Sequence, residues 1–594
     1  MSERKINLIP FTIEGFFTNL HYVVPEYQRE YVWKDEQVEQ LMIDIDEAFN
    51  ADENKEYYVG TAVVWANGRK LELIDGQQRT TTFFILLSVI ARLYEDNKEQ
   101  HDFIDKLVYS PTSVKGKQVE EFSLELQYED GKEYLKNVRD NTVPEPDKRR
   151  ELRESTQNLY NAFDIITDFL NKNYPKFEDL AAFTDYILKQ VIIGQIRADD
   201  RSDSLKIFET VNQRGCGLTP MDLLKNMLFM KTKRNDYEKL NGEWKKMVDR
   251  LEPISNKEPM RFLRYYLTAT NDISDFHDGI MPNDKIYTWL IKNPDVYARD
   301  PMRFMKNMNA AAEKYEGYMM KNLNDAIDPM NHIHNVYNLQ GKSYSYHLVL
   351  LLAADKMDKD TFGKFTQLLE SIIYYSVVTR IPSNSYEKVF AKWCQKINRI
   401  KNKKDLDGFI NKQVKPIVDK WKTTIESDFD SLGLAGGMQK YKIRFILARI
   451  TKYVESIRAG KGGMTSNVES LIDTKQYDIE HIAPQTCKNP SRYSIDEENY
   501  EMQVGRMGNL TLLEASLNKK IKNDSYESKC KDAYKNSSIY LTRTIFKKEG
   551  IKGNSRAAKL ENRMKCWSKW NQDSIDERQR LLFEISEEIW DITQ

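Results

Sequence analysis

Apolar and polar positions change rhythm several times along this chain, and each change marks an element. Residues 57–74, YYVGTAVVWANGRKLELI, are rich in β-branched and aromatic residues and predict two strands, Tyr57–Ala66 and Lys70–Ile74. Asn67-Gly68 between them is a strong hairpin turn, because both residue types tolerate positive φ. The run TTTFFILLSVIARLY is too long for a typical strand and is followed by charge. It predicts a buried helix beginning near Thr80, with a threonine as its cap. Residues from about 101 to 150 are polar and charged, as expected of an insertion or lid. From 150 to 230 the pattern is largely helical, broken by a loop from Asn212 to Thr219. Thr219-Pro220 then starts a helix, with a hydroxyl cap and a proline in the first turn. From 235 to 440 amphipathic helical periodicity recurs with many aromatics. RAGKGGMTSN, at 458–467, is the clearest glycine-rich break and lacks the GxxxxGK spacing of a phosphate-binding loop. Helices are expected again from about 440, with strand-like segments after 470.

Length and composition narrow the class. A chain of 594 residues is too long for one core, and two to four domains are expected. With 40% hydrophobic and 30% charged residues it is globular rather than disordered. No run of about 18 apolar residues occurs, so no membrane-spanning helix is expected. MSERKINLIP lacks the apolar stretch of a signal peptide. The five cysteines form no CxxC pair, which argues against structural zinc and a disulfide scaffold and fits a reducing cytoplasm. A net charge of −1 excludes a generic polycation, yet between Lys519 and Lys569 there are 15 Lys/Arg against 5 Asp/Glu. Such a basic segment suits contact with a phosphate backbone, although a solvated helical face has the same composition.

Two short constellations carry candidate chemistry. YDIEHIAPQ (477–485) places an acid-His pair on a β-branched segment ended by proline, and MGNLTLLEASLNKKIKND (507–524) follows with a strand and a helix. Phosphodiester hydrolysis needs a base to activate water, a divalent cation to stabilise charge, and a group that orients the base. His481 is the candidate base. Glu480 or Asp478 is the candidate metal ligand, completed by Asn518 from the helix, and Asn509 would hold the loop and the imidazole. Hard oxygen ligands suit Mg²⁺ or Mn²⁺ better than zinc. By contrast His332 and His334 in NHIHN lack an acidic partner motif and are assigned to structure or surface. In LIDGQQRTTTFFIL, a strand ends at Asp75, Gly76 permits a tight turn, and helix N–H groups beside Arg79 make an anion site. Arg29 in YQREYVW could add a second positive charge, and Asp75 could order a cation or water.

YDIEHIAPQ…GNLTLL…N resembles the ββα-metal (HNH) nuclease signature, as in CRISPR effector nucleases and, more closely, GmrSD-like restriction proteins. It departs from many HNH enzymes in having Glu480, where Asp or His stands beside the base. PEYQREYVW followed by DGQQRTTT resembles the N-terminal DGQQR domain of the same proteins, which is related to the ParB/sulfiredoxin-like fold. IFETVNQRGCGLTPMDLLKN resembles a later block of that domain, with Asn212, Arg214, Gly215 and Asp222 at its motif positions. The resemblance covers roughly residues 10–100, 190–230 and 440–570 and leaves the helical middle unaccounted for.

The resemblance implies an α+β, mainly helical multidomain protein. Residues 1–232 would form a ParB/sulfiredoxin-like domain that binds a nucleotide or senses DNA, 233–440 a helical connector, and 441–594 a helical domain carrying the HNH motif. Arg29, Asp75, Gly76, Gln77, Gln78 and Arg79 would bind the nucleotide, GTP, ATP or CTP being equally open. Asp478, Glu480 and Asn518 would serve Mg²⁺ or Mn²⁺, with His481 and Asn509 catalytic. The implied function is a cytoplasmic phage-defence endonuclease of type IV character. It would cut modified phage DNA under nucleotide control, as a homo-oligomer in one version and without a membrane partner. The alternatives are a nucleotide-responsive DNA-binding regulator and an abortive-infection effector acting on host nucleic acid.

Overall fold

The computed structural model describes residues 7–26, 28–114, 117–128, 130–198, 219–274, 278–320, 331–341, 344–460 and 468–592. Contacts divide the chain into two compact units, residues 1–245 with 290–306 and residues 246–289 with 307–594. Asn212, Arg214 and Gly215, and positions 461–467 of the glycine-rich break, lie outside the described residues. No helix among the described residues is long and apolar enough to cross a membrane.

The first unit is built on a mixed sheet. Its strands in chain order are β1 (Asn7–Thr12), β2 (Tyr22–Val24), β3 (Tyr57–Asn67) and β4 (Lys70–Asp75). A separate hairpin, β5 (Tyr109–Val114) and β6 (Lys117–Phe122), precedes β7 (Leu124–Leu126) and β8 (Val191–Ala198). The six-stranded order is β1-β8-β3-β4-β2-β7. β3 and β4 are the expected hairpin, antiparallel with Asn67 opposite Lys70, and Gly68 takes φ +67° in the turn. β8 runs parallel to β3 in the interior of the sheet. Its sequence, VIIGQIRA, falls in a stretch expected to be helical. A strand covered on both faces loses the alternation that marks a half-exposed one.

Against this sheet lies the helix Gln77–Leu93, in which Phe83 to Ala91 are all buried. A helix apolar on every side must sit inside a core, and each fully buried Leu, Ile or Phe here contributes about 1.5–3 kcal/mol. The helix begins one turn earlier than its threonines indicate. Gly76, at φ +88°, is the residue before it, and no threonine caps it. Thr82 instead donates to the Gln78 carbonyl (2.9 Å) and accepts from the Tyr31 hydroxyl (2.7 Å) inside the core. The region 101–150 is also more than a surface addition. β7 extends the sheet beside β2, and Val108, Leu124 and Leu126 are buried in the unit's core. Three residues with two leucines are too short a signal to stand out from polar surroundings.

The second unit is helical, with one small sheet. The helix His332–Gln340 packs on Lys359–Val378 and on Lys440–Arg458, and the last of these also packs on Gln572–Ile589. Glu370 ties them together at the centre. It accepts from Arg449 (2.9 Å), Trp590 (2.9 Å), Asn335 (2.9 Å) and His332 (2.6 Å). Tyr374 stacks on the Trp590 ring at 3.7 Å. Burial pushes the Glu370 carboxyl up, but Arg449 and His332 more than offset it and leave it at about 2. β9 (Tyr477–His481) and β10 (Leu510–Glu514) then pair antiparallel, His481 opposite Leu510, and the helix Ala515–Ile521 follows directly.

Candidate functional site

The motif after β4 opens onto a cavity of about 510 Å³ in the first unit. β4 delivers Asp75, and the first turn of the following helix delivers Gln77, Gln78 and Arg79. Arg29 and Trp33 face them from the segment after β2, Asp44 from the helix Asp35–Ala51, and Tyr57 and Tyr58 from β3. Gly76 has two reasons to be glycine: its positive φ, and a Cβ there would sit 3.0 Å from the Ala62 Cα. Gly60, at φ +111°, plays a part the sequence did not disclose, since a Cβ there would stand 3.0 Å from the Arg79 guanidinium carbon. Arg79 passes through this gap and donates to the Thr61 carbonyl (3.2 Å).

Polar atoms around this cavity divide into used and unused. Gln78 is spent on the chain: its Oε1 accepts from the Val32 and Trp33 N–H groups (2.7 and 3.3 Å) and its Nε2 donates to the Glu30 carbonyl (2.9 Å). It fixes the segment that carries Arg29 and Trp33. Gln77 Oε1 and Arg29 Nε are buried and have no hydrogen-bond partner among the described residues. Burial raises the Asp75 carboxyl against the opposing pull of the Gly76 N–H, Arg79 and Arg29, and burial lowers Arg79 against Asp75, Tyr58 and Tyr57. Two guanidinium groups, one of them with its buried Nε unused, and three aromatic rings fit an anionic ligand with a flat apolar part. The volume lies in the range of small-molecule sites.

The second constellation lies on β9, β10 and the helix after them. Side chains alternate along a strand, so Asp478 and Glu480 share one face of β9, and His481 is the strand's last residue. Asp478 Oδ2 is 3.5 Å from Asn518 Nδ2, and Asp478 Oδ1 is 3.9 Å from Arg444. Glu480 is 4% exposed and is held by Lys529 (2.7 Å) and Tyr534 (3.0 Å). Lys529 also donates to the His481 carbonyl (2.6 Å). Burial lowers His481 to about 4, helped by the ammonium groups of Lys529 and Lys440, so the imidazole is neutral near pH 7 and can accept a proton. Asn509 is fully buried and its amide is saturated. Oδ1 accepts from the Ala483 N–H (2.7 Å) and Trp570 Nε1 (2.9 Å), and Nδ2 donates to the Ala483 and Val504 carbonyls (3.0 and 2.8 Å). It fixes the chain just past His481.

Among the described residues no group of three or more His, Cys, Asp and Glu assembles as a metal site. A magnesium-type ion needs fewer, because it keeps waters and takes one or two carboxylates together with substrate phosphates. Asp478 beside Asn518 fits that demand, whereas Glu480 has its oxygen engaged by an ammonium and a phenol. His332 and His334 are buried, and His332 bonds Glu370 (2.6 Å), an acidic partner that lies 38 residues along the chain and outside its own motif. Lys529 and Tyr534 were not legible in the sequence, being two of many residues in a basic, aromatic stretch.

A family model for the N-terminal domain of GmrSD restriction endonucleases matches residues 13–229, and one for the C-terminal domain of GmrSD restriction endonucleases matches residues 422–585. No curated protein matches the chain. In class, then, this is a restriction endonuclease with both constellations falling inside matched domains. The chain belongs to the GmrSD-like restriction endonuclease family, which implies nuclease activity with DNA as the substrate.

Proposed function

We propose that this protein is a type IV-like, modification-dependent phage-defence endonuclease. In this reading it hydrolyses DNA phosphodiesters with an HNH centre on β9, β10 and the following helix. The observation that carries this reading is the meeting of Asp478 and Asn518, 3.5 Å apart, on the strand that also bears a neutral His481. His481 takes a proton from the attacking water. Asp478 and Asn518 hold the divalent cation, Mg²⁺ or Mn²⁺. When bound, the cation stabilises charge on the scissile phosphate and the leaving oxygen. Asn509 holds Ala483, and Lys529 holds the His481 carbonyl, so both anchor the base through its backbone. Glu480 supports Lys529 rather than the cation.

Metal titration separates the two acids. Asp478→Ala and Asn518→Ala are expected to move the Mg²⁺ or Mn²⁺ midpoint for cleavage upward, by about tenfold or more. Glu480→Gln should lower the rate with little change in the midpoint. A larger midpoint shift for Glu480→Gln than for Asp478→Ala would transfer the ligand role to Glu480.

In the same reading, the cavity around Asp75 to Arg79 binds a nucleoside triphosphate, and the bound state controls cleavage. Arg29 and Arg79 grip the phosphates, and Gln77 and Asp75 meet donors of the ligand or an ordered cation. Isothermal titration of GTP, ATP and CTP should show binding to the parent chain and a loss of at least tenfold in affinity for Arg79→Ala. Plasmid cleavage by Arg79→Ala should keep a basal metal-dependent rate and lose its response to nucleotide. No binding of any nucleotide to the parent would remove the two-site reading. Assays on modified phage DNA, unmodified phage DNA and host DNA, with and without nucleotide, test the function as a whole. Equal cutting of host DNA would favour an abortive-infection effector, and binding without cutting would favour a regulator.

A further inference from the structure

Beyond the cleavage residues, the second unit holds a cavity of about 490 Å³ whose lining includes Pro484, Thr486, Lys488, Arg492, Asn523 and Ser525. It lies where the two chemistry-bearing elements run out. Pro484 is three residues past His481, at most about 10 Å of chain, and Asn523 is five past Asn518. The cavity's described lining contains two cations, hydroxyls and an amide, and no carboxylate. Asn523 Nδ2 donates to Thr486 Oγ1 (2.9 Å), which ties the loop after β9 to the end of the Asn518 helix. Arg492 is set in place by Glu527 (2.9 Å), and Lys488 is exposed. Lys519, Lys520 and Lys522, all exposed, occupy the stretch between Asn518 and Asn523.

We propose that this cavity is a subsite for the DNA strand flanking the bond that is cut, holding the sugar-phosphate of a neighbouring nucleotide. The proposal rests on the nuclease reading above. A strand carries one phosphate per 3.4 Å of helix axis, so the Pro484 edge of the cavity stands within about three steps of His481, and Lys488 and Arg492 line the cavity beyond that edge. The hydroxyl and amide groups of Thr486, Ser525 and Asn523 suit a sugar and a phosphate oxygen. Contacts to the sugar-phosphate set the register of the strand on His481.

The test is DNA binding by the full chain carrying His481→Ala, followed by fluorescence anisotropy on a short duplex across a salt series. Adding Lys488→Ala and Arg492→Ala should weaken binding several-fold and make the plot of log K against log salt shallower by about 1–2, near 0.9 per lost phosphate contact. Lys488→Ala alone, at an exposed position, should account for about half of that change. If the parent binds and both variants keep its affinity and slope, the subsite is overturned while the nuclease reading stands. If the parent binds no DNA at any salt, both are overturned.

Discussion

Replacing His481 by alanine is expected to slow DNA cleavage by about 10²–10⁴-fold, the usual cost of removing a general base, while the fold survives. The reasons for survival are local. The Lys529 bond near this position goes to the His481 backbone carbonyl, which alanine retains, and Asn509 holds Ala483 through the backbone as well. The pairing of His481 with Leu510 is also a main-chain matter. What disappears is the half-buried imidazole that burial, Lys529 and Lys440 keep neutral. Plasmid nicking in Mg²⁺ and Mn²⁺, alongside thermal unfolding and nucleotide titration of the same variant, checks each part. Parent-like cleavage by a folded His481→Ala protein would remove this residue from the chemistry.

The second large effect concerns stability. Glu370→Ala should destabilise the second unit by about 3–5 kcal/mol, because it leaves Arg449 buried without its anion. Trp590 Nε1, Asn335 and His332 lose an acceptor at the same time. The linkage has a definite sign. The folded carboxyl stands at about 2 against an ordinary 4.5. Its stabilising contribution is therefore complete above pH 4.5 and is lost as pH falls toward 2. Denaturant midpoints of parent and variant should lie far apart at pH 7 and draw together in acid. A constant gap from pH 7 to pH 3 would show that the anion is not what holds the cluster.

What the sequence disclosed follows the range of the interactions involved. The β3–β4 hairpin was legible because two residues, Asn67 and Gly68, set its turn. β9, β10 and the helix after them were legible because β-branched residues, a proline and a polar helix follow in order. Asp75 to Arg79 were legible as a group because they are contiguous. The residues that face them were not, since Trp33, Asp44 and Tyr58 reach the cavity from three other elements and carry no local mark. Gly60 carries no local mark, because what requires glycine there is the distant Arg79 side chain passing beside it. The helix cap was misplaced because three threonines look like a cap, whereas the approach to Ala62 admits only glycine. β8 reads as helix from the sequence because its apolar run has no period of two. Asp478 and Glu480 look equivalent in YDIEH, and Lys529, far along the chain, is what distinguishes them.

Asn509 gives the second unit a property that matters over evolutionary time. Its four hydrogen bonds close the segment between β9 and β10 at the base, joining Ala483 on one side to Val504 on the other and to Trp570 beyond. Everything from Pro484 to Gln503 is thereby a closed excursion from a fixed root. Lengthening a closed loop is cheap, with each doubling costing about 0.6 kcal/mol. Insertions at its exposed positions, Lys488 among them, cost little, while Tyr493, Ile495 and Tyr500 stay packed in the core and the strand bearing His481 keeps its position. In the proposed function, such a layout would let a defence protein change how it grips nucleic acid as its adversaries change, without rebuilding the centre that cuts.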